Sequence, residues 1–233
     1  MAVTKTDYVR ALQCQKMLWL DAHEPEHKII PPEVQQRLDE GNEFGDKAMG
    51  IFGAYKETTA YKADGRMDFA AMLERTKTWL AQGENVVCEG AFSWYGNYCA
   101  ADILKKDGAG YAMYEVKNAG APRKEFLCDM GFQRLILRKC GVNITACYLI
   151  LNADKADGIQ AGQVCVEHEN QRYLIVDVSA QARILEREAQ NKVFDFGKLK
   201  KKDAPKPIIG TGEHCETPYR CWYYEYCHNG DRA

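Results

Sequence analysis

The segment ADILKKDGAGYAMYEVKN, residues 101–118, predicts two β-strands joined by a tight turn. Its Asp-Gly step at residues 107–108 lies between two stretches rich in alternating apolar residues, which is typical of a hairpin. A turn centred on residues 108–109 places Lys106 opposite Tyr111 and fixes the register of both strands. We therefore expect an antiparallel strand pair at this point of the chain.

The same register places two carboxylates, those of Asp102 and Glu115, directly opposite each other. Opposed residues have Cβ atoms about 4.5–5.5 Å apart, so the two charges repel unless a cation neutralises them. Magnesium and other hard divalent cations prefer oxygen ligands. Lys117 leaves the same face of the sheet as Glu115 and can orient a water molecule or stabilise charge on a phosphate. One interpretation is a divalent-metal site, and the other is a solvated hairpin with charges on its open face.

Two further polar residues are candidates for this site. Glu89 lies on the preceding predicted strand, where it is either a third metal ligand or an ordinary strand-end carboxylate. Gln133 lies on an apolar stripe of a predicted helix. Its amide can hydrogen-bond a nucleophilic water or a nucleotide, or it can be tied to backbone.

The rest of the chain predicts further helices and strands in one α/β domain. A change from helical to alternating periodicity near residue 86 marks the start of the sheet. The order of elements is typical of an α/β sandwich with a mixed sheet. Helices are expected at residues 6–19 (with Thr6 as the N-cap), 32–48, 68–80, 123–140 and 180–191, and strands at 86–92, 98–105, 111–117, 144–151, 164–166 and 173–178.

Composition excludes several classes of protein. Apolar residues make up 46% of the 233-residue chain, enough for a full core without disulfides. The longest apolar run, residues 146–151, is too short to span a membrane, and the N-terminus has no apolar signal core, so we expect a cytoplasmic protein without membrane contact. The net charge of −2 means that any nucleic acid must bind to a local basic patch. One run of lysines is either such a DNA-binding patch or an ordinary solvated loop. It consists of Lys198, Lys200, Lys201 and Lys202.

Cysteines form the second notable pattern. The tail HCETPYRCWYYEYC, residues 214–227, spaces three cysteines with five residues between successive ones. A fourth thiol is needed for a four-thiolate site, and Cys14 in the first predicted helix is the candidate. Such a site binds either an iron–sulfur cluster or zinc, with His214 or His228 able to replace a cysteine for zinc, and thiols without metal are the remaining interpretation. The three tail cysteines are Cys215, Cys221 and Cys227.

Taken together, these motifs resemble a known family. The pieces are the early cysteine in YVRALQCQKMLWL (8–20), the aspartate in AADIL (100–104), the EVK triplet (115–117), the helix with Gln133 and the cysteine-rich tail. In this order they are similar to the iron–sulfur members of the RecB-like PD-(D/E)XK nucleases, which include the CRISPR-associated exonucleases that trim new spacers.

The resemblance implies a restriction-endonuclease-like mixed β-sheet flanked by helices. It implies a single domain over residues 1–233, with a catalytic core at 31–204 and a cap formed by 1–30 and 205–233. A [4Fe–4S] cluster would join the two ends of the chain. Mg²⁺ or Mn²⁺ would be the catalytic metal, and DNA the substrate. The implied cluster ligands are Cys14, Cys215, Cys221 and Cys227, and the implied catalytic residues are Asp102, Glu115, Lys117 and Gln133.

The chain departs from the family pattern at two positions. The helix RLDEGNEFGDKAM, residues 37–49, lacks the metal-binding histidine of the family, and Glu43 or Glu40 is expected to supply an oxygen ligand instead. Leu137 stands where the glutamine motif usually ends in an aromatic residue.

Three functions follow as hypotheses. The first is metal-dependent hydrolysis of DNA by an exonuclease that acts on DNA ends or single strands, in CRISPR adaptation or DNA repair. The metal would bind Asp102 and Glu115 with Glu43 or Glu89. The second is a DNA-binding subunit of an acquisition or repair complex that has lost catalysis, with CRISPR integration or repair proteins as partners. The third, a redox or metal-sensing protein, leaves the opposed acids unexplained.

Overall fold

A computed structural model describes residues 2–230, so residue 1 and residues 231–233 of the predicted domain and cap lie outside the described residues. A seven-stranded mixed sheet with the strand order β1-β2-β3-β4-β5-β7-β6 is flanked by helices. The expected mixed α/β architecture is therefore confirmed. The strands are β1 (Lys56–Glu57), β2 (Val86–Trp94), β3 (Asn97–Asp107), β4 (Gly110–Lys117), β5 (Ile144–Asn152), β6 (Val164–His168) and β7 (Gln171–Asp177), and the helices are α1 (Lys5–Gln13), α2 (Gln15–His23), α3 (Pro32–Ala48), α4 (Phe69–Gln82), α5 (Lys124–Lys139), α6 (Ser179–Leu199) and α7 (Tyr224–Asn229).

The hairpin between β3 and β4 has the predicted register. Lys106 pairs with Tyr111, and Ile103 pairs with Tyr114. Gly108 in the turn has φ +55°, a left-handed conformation that glycine adopts without steric cost. One step beyond Ile103 and Tyr114, the register places Asp102 opposite Glu115.

The two faces of the sheet are covered by different helices. The larger core lies between the sheet and helices α1, α2, α5 and α6, and a smaller core lies between the other face and α3. Side chains of a strand alternate between faces. Val116 packs in the smaller core near Phe44 of α3, so its neighbour Glu115 points to the opposite face, toward α1 and α5.

The first predicted helix is two helices. Thr4, rather than Thr6, is the N-cap of α1, because Thr4 and Asp7 form a reciprocal capping box. The backbone then becomes extended at Cys14, with φ −158° and ψ 115°, before α2 begins. Cys14 therefore lies at a junction between helices and not inside one.

Helix α6 also differs from prediction, since it continues to Leu199. Val193 and Phe196 extend its buried face into the larger core, so tertiary packing stabilises the additional turns. Within residues 2–230 no helix combines the length and the apolar content that crossing a bilayer requires.

Candidate metal and nucleic-acid site

Three acidic residues form a row across the central strands. Cys88 pairs with Ile103 and Gly90 with Ala101, and these pairs bracket Glu89 of β2 and Asp102 of β3. Asp102 and Glu115 of β4 lie one step beyond Ile103 and Tyr114, and both carboxylates contact Lys5 Nζ. All three line a groove of about 740 Å³. We call Glu89, Asp102 and Glu115 the acidic row.

Glu89 has an unusual backbone for a strand residue. Its φ is +53°, and its carbonyl oxygen accepts a hydrogen bond from the Thr58 hydroxyl. A non-glycine residue in this region costs on the order of 1–3 kcal/mol and such residues cluster at functional sites. The strained backbone therefore lies within the acidic row itself, which favours a functional role for this part of the sheet.

Two ammonium groups contact the acidic row. Lys117 Nζ lies 2.7 Å from Glu115 Oε1 and 2.9 Å from Asp129 Oδ2. Lys5 Nζ, from the first turn of α1, lies 3.2 Å from Asp102 Oδ1 and 3.2 Å from Glu115 Oε1. The two ammonium groups thus share Glu115 Oε1, and each contacts a second carboxylate.

Gln133 of α5 fixes the orientation of the buried Glu115 carboxylate. Its Nε2 donates to Glu115 Oε2 at 2.7 Å and to Asp129 Oδ1 at 3.0 Å. Because both acceptors are carboxylates, the amide nitrogen must face them. Its Oε1 is buried without a hydrogen-bond partner among residues 2–230. The Gln133 amide therefore contacts carboxylates and not backbone, and its catalytic role stays a prediction.

Negative charge exceeds positive charge at this site. Asp129 of α5 places a fourth carboxyl group beside the acidic row, and within residues 2–230 only two ammonium groups, those of Lys5 and Lys117, contact these four carboxyl groups. Burial, assisted by the Asp102 charge, raises the pKa of Glu89 to about 8, and burial with the Glu115 charge raises the pKa of Asp129. A divalent cation would relieve this excess of negative charge.

The pKa values of the two lysines reflect the same excess of negative charge. Burial alone would lower the pKa of Lys117, but the Asp129 and Glu115 carboxylates outweigh it and raise this pKa. For Lys5, Asp102 and Glu115 likewise outweigh burial and raise its pKa well above the ordinary value. Both side chains are therefore ammonium ions at neutral pH.

The structure does not bring Glu43 to the acidic row. Its side chain is 68% exposed and pairs with Lys47 on the same helix. Phe44 and Ala48 are the residues of α3 that face the sheet, which turns Glu43 toward solvent. Glu40, the other candidate on this helix, and Asp46 do line the groove.

The predicted lysine patch lies away from the groove. Lys198 pairs with Asp195 at 2.6 Å, and Lys200 pairs with Asp7 at 2.6 Å. Among the residues that the structure describes, Lys201 and Lys202 also do not line the groove. Basic residues of other elements line the groove instead, and we call them its basic rim. They are Arg10, Arg37, Arg123, Lys155 and Arg220, and they share the lining with Glu40, Asp46 and Glu125.

Four thiols meet at a second, smaller cavity. Its volume is about 20 Å³, room for roughly one water molecule. Cys221 Sγ lies 3.6 Å from Met17 Sδ, and burial, with a smaller contribution from the other three thiols, raises the pKa of Cys221 to about 11. The cavity is lined by all four predicted ligands, Cys14, Cys215, Cys221 and Cys227.

The donor types of both sites suit the expected metals, but their present geometry is not that of a metal site. Over residues 2–230, no group of three or more His, Cys, Asp or Glu side chains stands in a geometry that holds a metal ion. Four thiolates are the donor set that iron–sulfur clusters require, but the walls of this cavity would have to widen to accept a cubane. The acidic row offers carboxylate oxygens for Mg²⁺ or Mn²⁺.

The two ends of the chain meet beside the groove. Gln13 Nε2 donates to the carbonyl oxygens of His214 at 2.8 Å and Tyr219 at 2.7 Å. The Arg10 guanidinium stacks on Trp222, 3.8 Å from its ring centre, and Arg37 stacks on Tyr219 at 4.5 Å. The cysteine-rich tail therefore forms one wall of the groove that contains the acidic row.

Sequence reasoning missed two residues of the site, Lys5 and Asp129. Asp129 precedes Gln133 by one helical turn, so the spacing could have indicated it. Lys5 lies 97 residues before Asp102, and no local pattern connects the two.

Comparisons with known proteins add no assignment. No protein-family model matches the chain. A search of curated proteins finds no significant match either.

Proposed function

We propose that this protein is a metal-dependent DNA nuclease of the iron–sulfur, RecB-like PD-(D/E)XK type. The observation that carries the proposal is the acidic row, with Lys117 beside it, on the floor of a groove with a basic rim. Paired carboxylates next to a lysine suit phosphodiester hydrolysis, because the reaction needs a metal-bound water and stabilisation of phosphate charge.

Mg²⁺ or Mn²⁺ would be held by Asp102 and Glu115, with Glu89 as the third acid. When bound, such an ion lowers the pKa of a water ligand and offsets the charge of the phosphate. Lys117 is held by Glu115 and Asp129 at the edge of the groove, where its ammonium can stabilise negative charge that develops on the phosphate. Gln133 keeps Glu115 in place.

The groove suits a nucleic-acid strand. The cationic rim attracts backbone phosphates even though the whole chain is slightly acidic. Tyr219 and Trp222 line its wall, where exposed bases would stack on their rings in place of the Arg37 and Arg10 guanidinium groups. We therefore propose single strands or DNA ends as substrate, with CRISPR adaptation or DNA repair as the setting and integration or repair proteins as partners.

The four thiols of Cys14, Cys215, Cys221 and Cys227 would hold a [4Fe–4S] cluster, with zinc as the chemical alternative. This assignment is supported by the position of the four thiols, which all line one cavity between the two ends of the chain. The cluster would stabilise the tail that forms the groove wall, and it takes no part in the hydrolysis.

A DNA-binding subunit without catalysis is the second candidate. Two observations favour it: the Lys5 ammonium lies between Asp102 and Glu115, and Glu43 is turned to solvent. In this case the groove would bind DNA while the acids serve only to hold the lysines.

Cleavage of end-labelled single-stranded DNA by anaerobically purified protein in Mn²⁺ tests the proposal. Visible charge-transfer absorption would report the iron–sulfur cluster, and metal analysis would report zinc. We expect Asp102→Asn and Lys117→Ala to lower cleavage by about 100-fold or more, while Glu43→Gln, a charge change outside the site, cuts normally. Undiminished cutting by both site variants refutes the nuclease assignment, and tight DNA binding without any Mn²⁺-dependent cutting selects the second candidate.

A further inference from the structure

We infer that Lys5 and a divalent cation are alternative occupants of the space between Asp102 and Glu115, so that Lys5 sets the affinity of the site for metal. The inference rests on the metal site of the proposed function. It assigns to Lys5 a role that the hairpin motif does not contain.

The contacts of Lys5 are those of a cation in an oxygen site. Its Nζ lies 3.2 Å from Asp102 Oδ1, 3.2 Å from Glu115 Oε1 and 3.4 Å from the Ala100 carbonyl oxygen. The two carboxylate oxygens are therefore separated by no more than twice 3.2 Å, and the ammonium fills the gap. Carboxylate and carbonyl oxygens are also the ligands of Mg²⁺, which binds them at about 2.0–2.1 Å. The two cations cannot share this space.

Lys5 can leave without movement of the backbone. Its main chain is fixed at the start of α1, where Thr4 and Asp7 form the capping box. Its side chain lines the groove and is 28% exposed. The flexible stem can therefore turn into the groove, where the ammonium would meet a phosphate of a bound strand.

Lys117 is not equivalent to Lys5. Both lysines contact Glu115 Oε1, but the second partner of Lys117 is Asp129 of α5, whereas that of Lys5 is Asp102. A cation between Asp102 and Glu115 displaces Lys5 and leaves the Lys117–Asp129 pair in place. The two lysines are therefore expected to respond differently to metal.

Direct measurement of Mn²⁺ binding tests this competition. Free Mn²⁺ is quantified by its electron paramagnetic resonance signal in titrations of the wild type, Lys5→Gln, Lys5→Arg and the double variant Asp102→Asn/Glu115→Gln. Because Lys5→Gln removes the competing charge, we expect it to bind Mn²⁺ at least about tenfold more tightly than the wild type. Lys5→Arg keeps the positive charge and should not gain affinity, and the double variant should bind none.

The outcomes separate the two proposals. Equal Mn²⁺ affinity of Lys5→Gln and the wild type overturns the role of Lys5 and leaves the metal site standing. If no variant binds Mn²⁺ more tightly than the double variant does, both the metal site and the inference are wrong.

Acetylation of the wild-type protein keeps the test valid if Lys5→Gln does not fold. Lysines are labelled with an acetylating reagent in EDTA or in Mn²⁺, and the peptides are quantified by mass spectrometry. Acetylation of Lys5 should rise in Mn²⁺ because its amine is released from the carboxylates, while Lys198, which is 67% exposed, should not change. Equal labelling of Lys5 under both conditions overturns the inference.

Discussion

Replacement of Glu89 by glutamine should make the protein more stable, and more so as the pH rises. Burial and the Asp102 charge raise the pKa of Glu89 from its ordinary value of 4.5 to about 8 in the folded protein. Between these two values the folded state holds a proton that the unfolded state has lost. The free energy of unfolding therefore falls as the pH rises through this window, and the penalty is fully present above the folded pKa.

The size of the effect follows from the two pKa values. One pKa unit corresponds to about 1.4 kcal/mol, so the shift of Glu89 corresponds to an upper bound of about 5 kcal/mol. Relaxation of a half-buried carboxylate and coupling to Asp102 reduce this figure, and we expect a difference of about 2 kcal/mol or more between acid and alkaline conditions. Glutamine has the same shape but no charge, so Glu89→Gln removes this pH dependence.

Urea unfolding in EDTA at about pH 5 and about pH 8 measures the effect. The advantage of Glu89→Gln over the wild type should be small in acid and grow toward alkaline pH. Glu43→Gln is the control, since Glu43 is exposed and the Lys47 contact lowers the pKa of its carboxyl group. If the wild type and Glu89→Gln lose stability in parallel as the pH rises, ionisation of the Glu89 carboxyl group does not destabilise the folded protein, and its pKa is not raised as the structure indicates.

Three further predictions concern the groove, the thiols and the packing of the helices. Arg123→Glu, on the groove rim, should weaken binding of single-stranded DNA by about tenfold at low salt, whereas Lys198→Glu should leave it unchanged. If filter binding shows equal losses of affinity for both variants, the lysine patch is part of the DNA-binding site. Cys221→Ser should abolish visible absorption and lower the thermal midpoint, with the exposed Cys165→Ser as control, and unchanged spectra would exclude Cys221 as a ligand. A Cβ on Gly131 would lie 2.6 Å from a side-chain carbon of α6, so Gly131→Ala should cost about 2 kcal/mol in urea unfolding, and a neutral result would mean that α5 and α6 separate easily.

The strand pair could be predicted because its determinants are local. A short turn with glycine fixes the register of both strands, and the period of two then decides which side chains share a face. The predicted register is confirmed from Lys106 and Tyr111 to Ile103 and Tyr114, and Asp102 and Glu115 lie one step beyond the last pair.

Apart from the helix bounds, the differences from prediction concern where side chains outside the hairpin lie relative to the sheet. Nothing in the spacing of Glu43 indicates that α3 presents Phe44 and Ala48 to the sheet and leaves Glu43 in solvent. The basic residues of the groove rim are scattered along the chain, whereas the run from Lys198 to Lys202 is compact in sequence and lies elsewhere. A charge patch is assembled by tertiary packing, and sequence proximity alone does not indicate it.

Helix α1 joins the two sites within nine residues. Lys5 at its start contacts the acidic row, Arg10 in its middle stacks on Trp222 of the tail, and Cys14 directly after its end lines the thiol cavity. At 1.5 Å per residue, the helix spans only about 13 Å. A rigid element this short cannot shift at one end without moving the other. The positions of Cys14 and of the Lys5 main chain are therefore mechanically linked. The joining of the two chain ends thus affects the point from which the Lys5 side chain reaches the acidic row, as well as the stability of the tail.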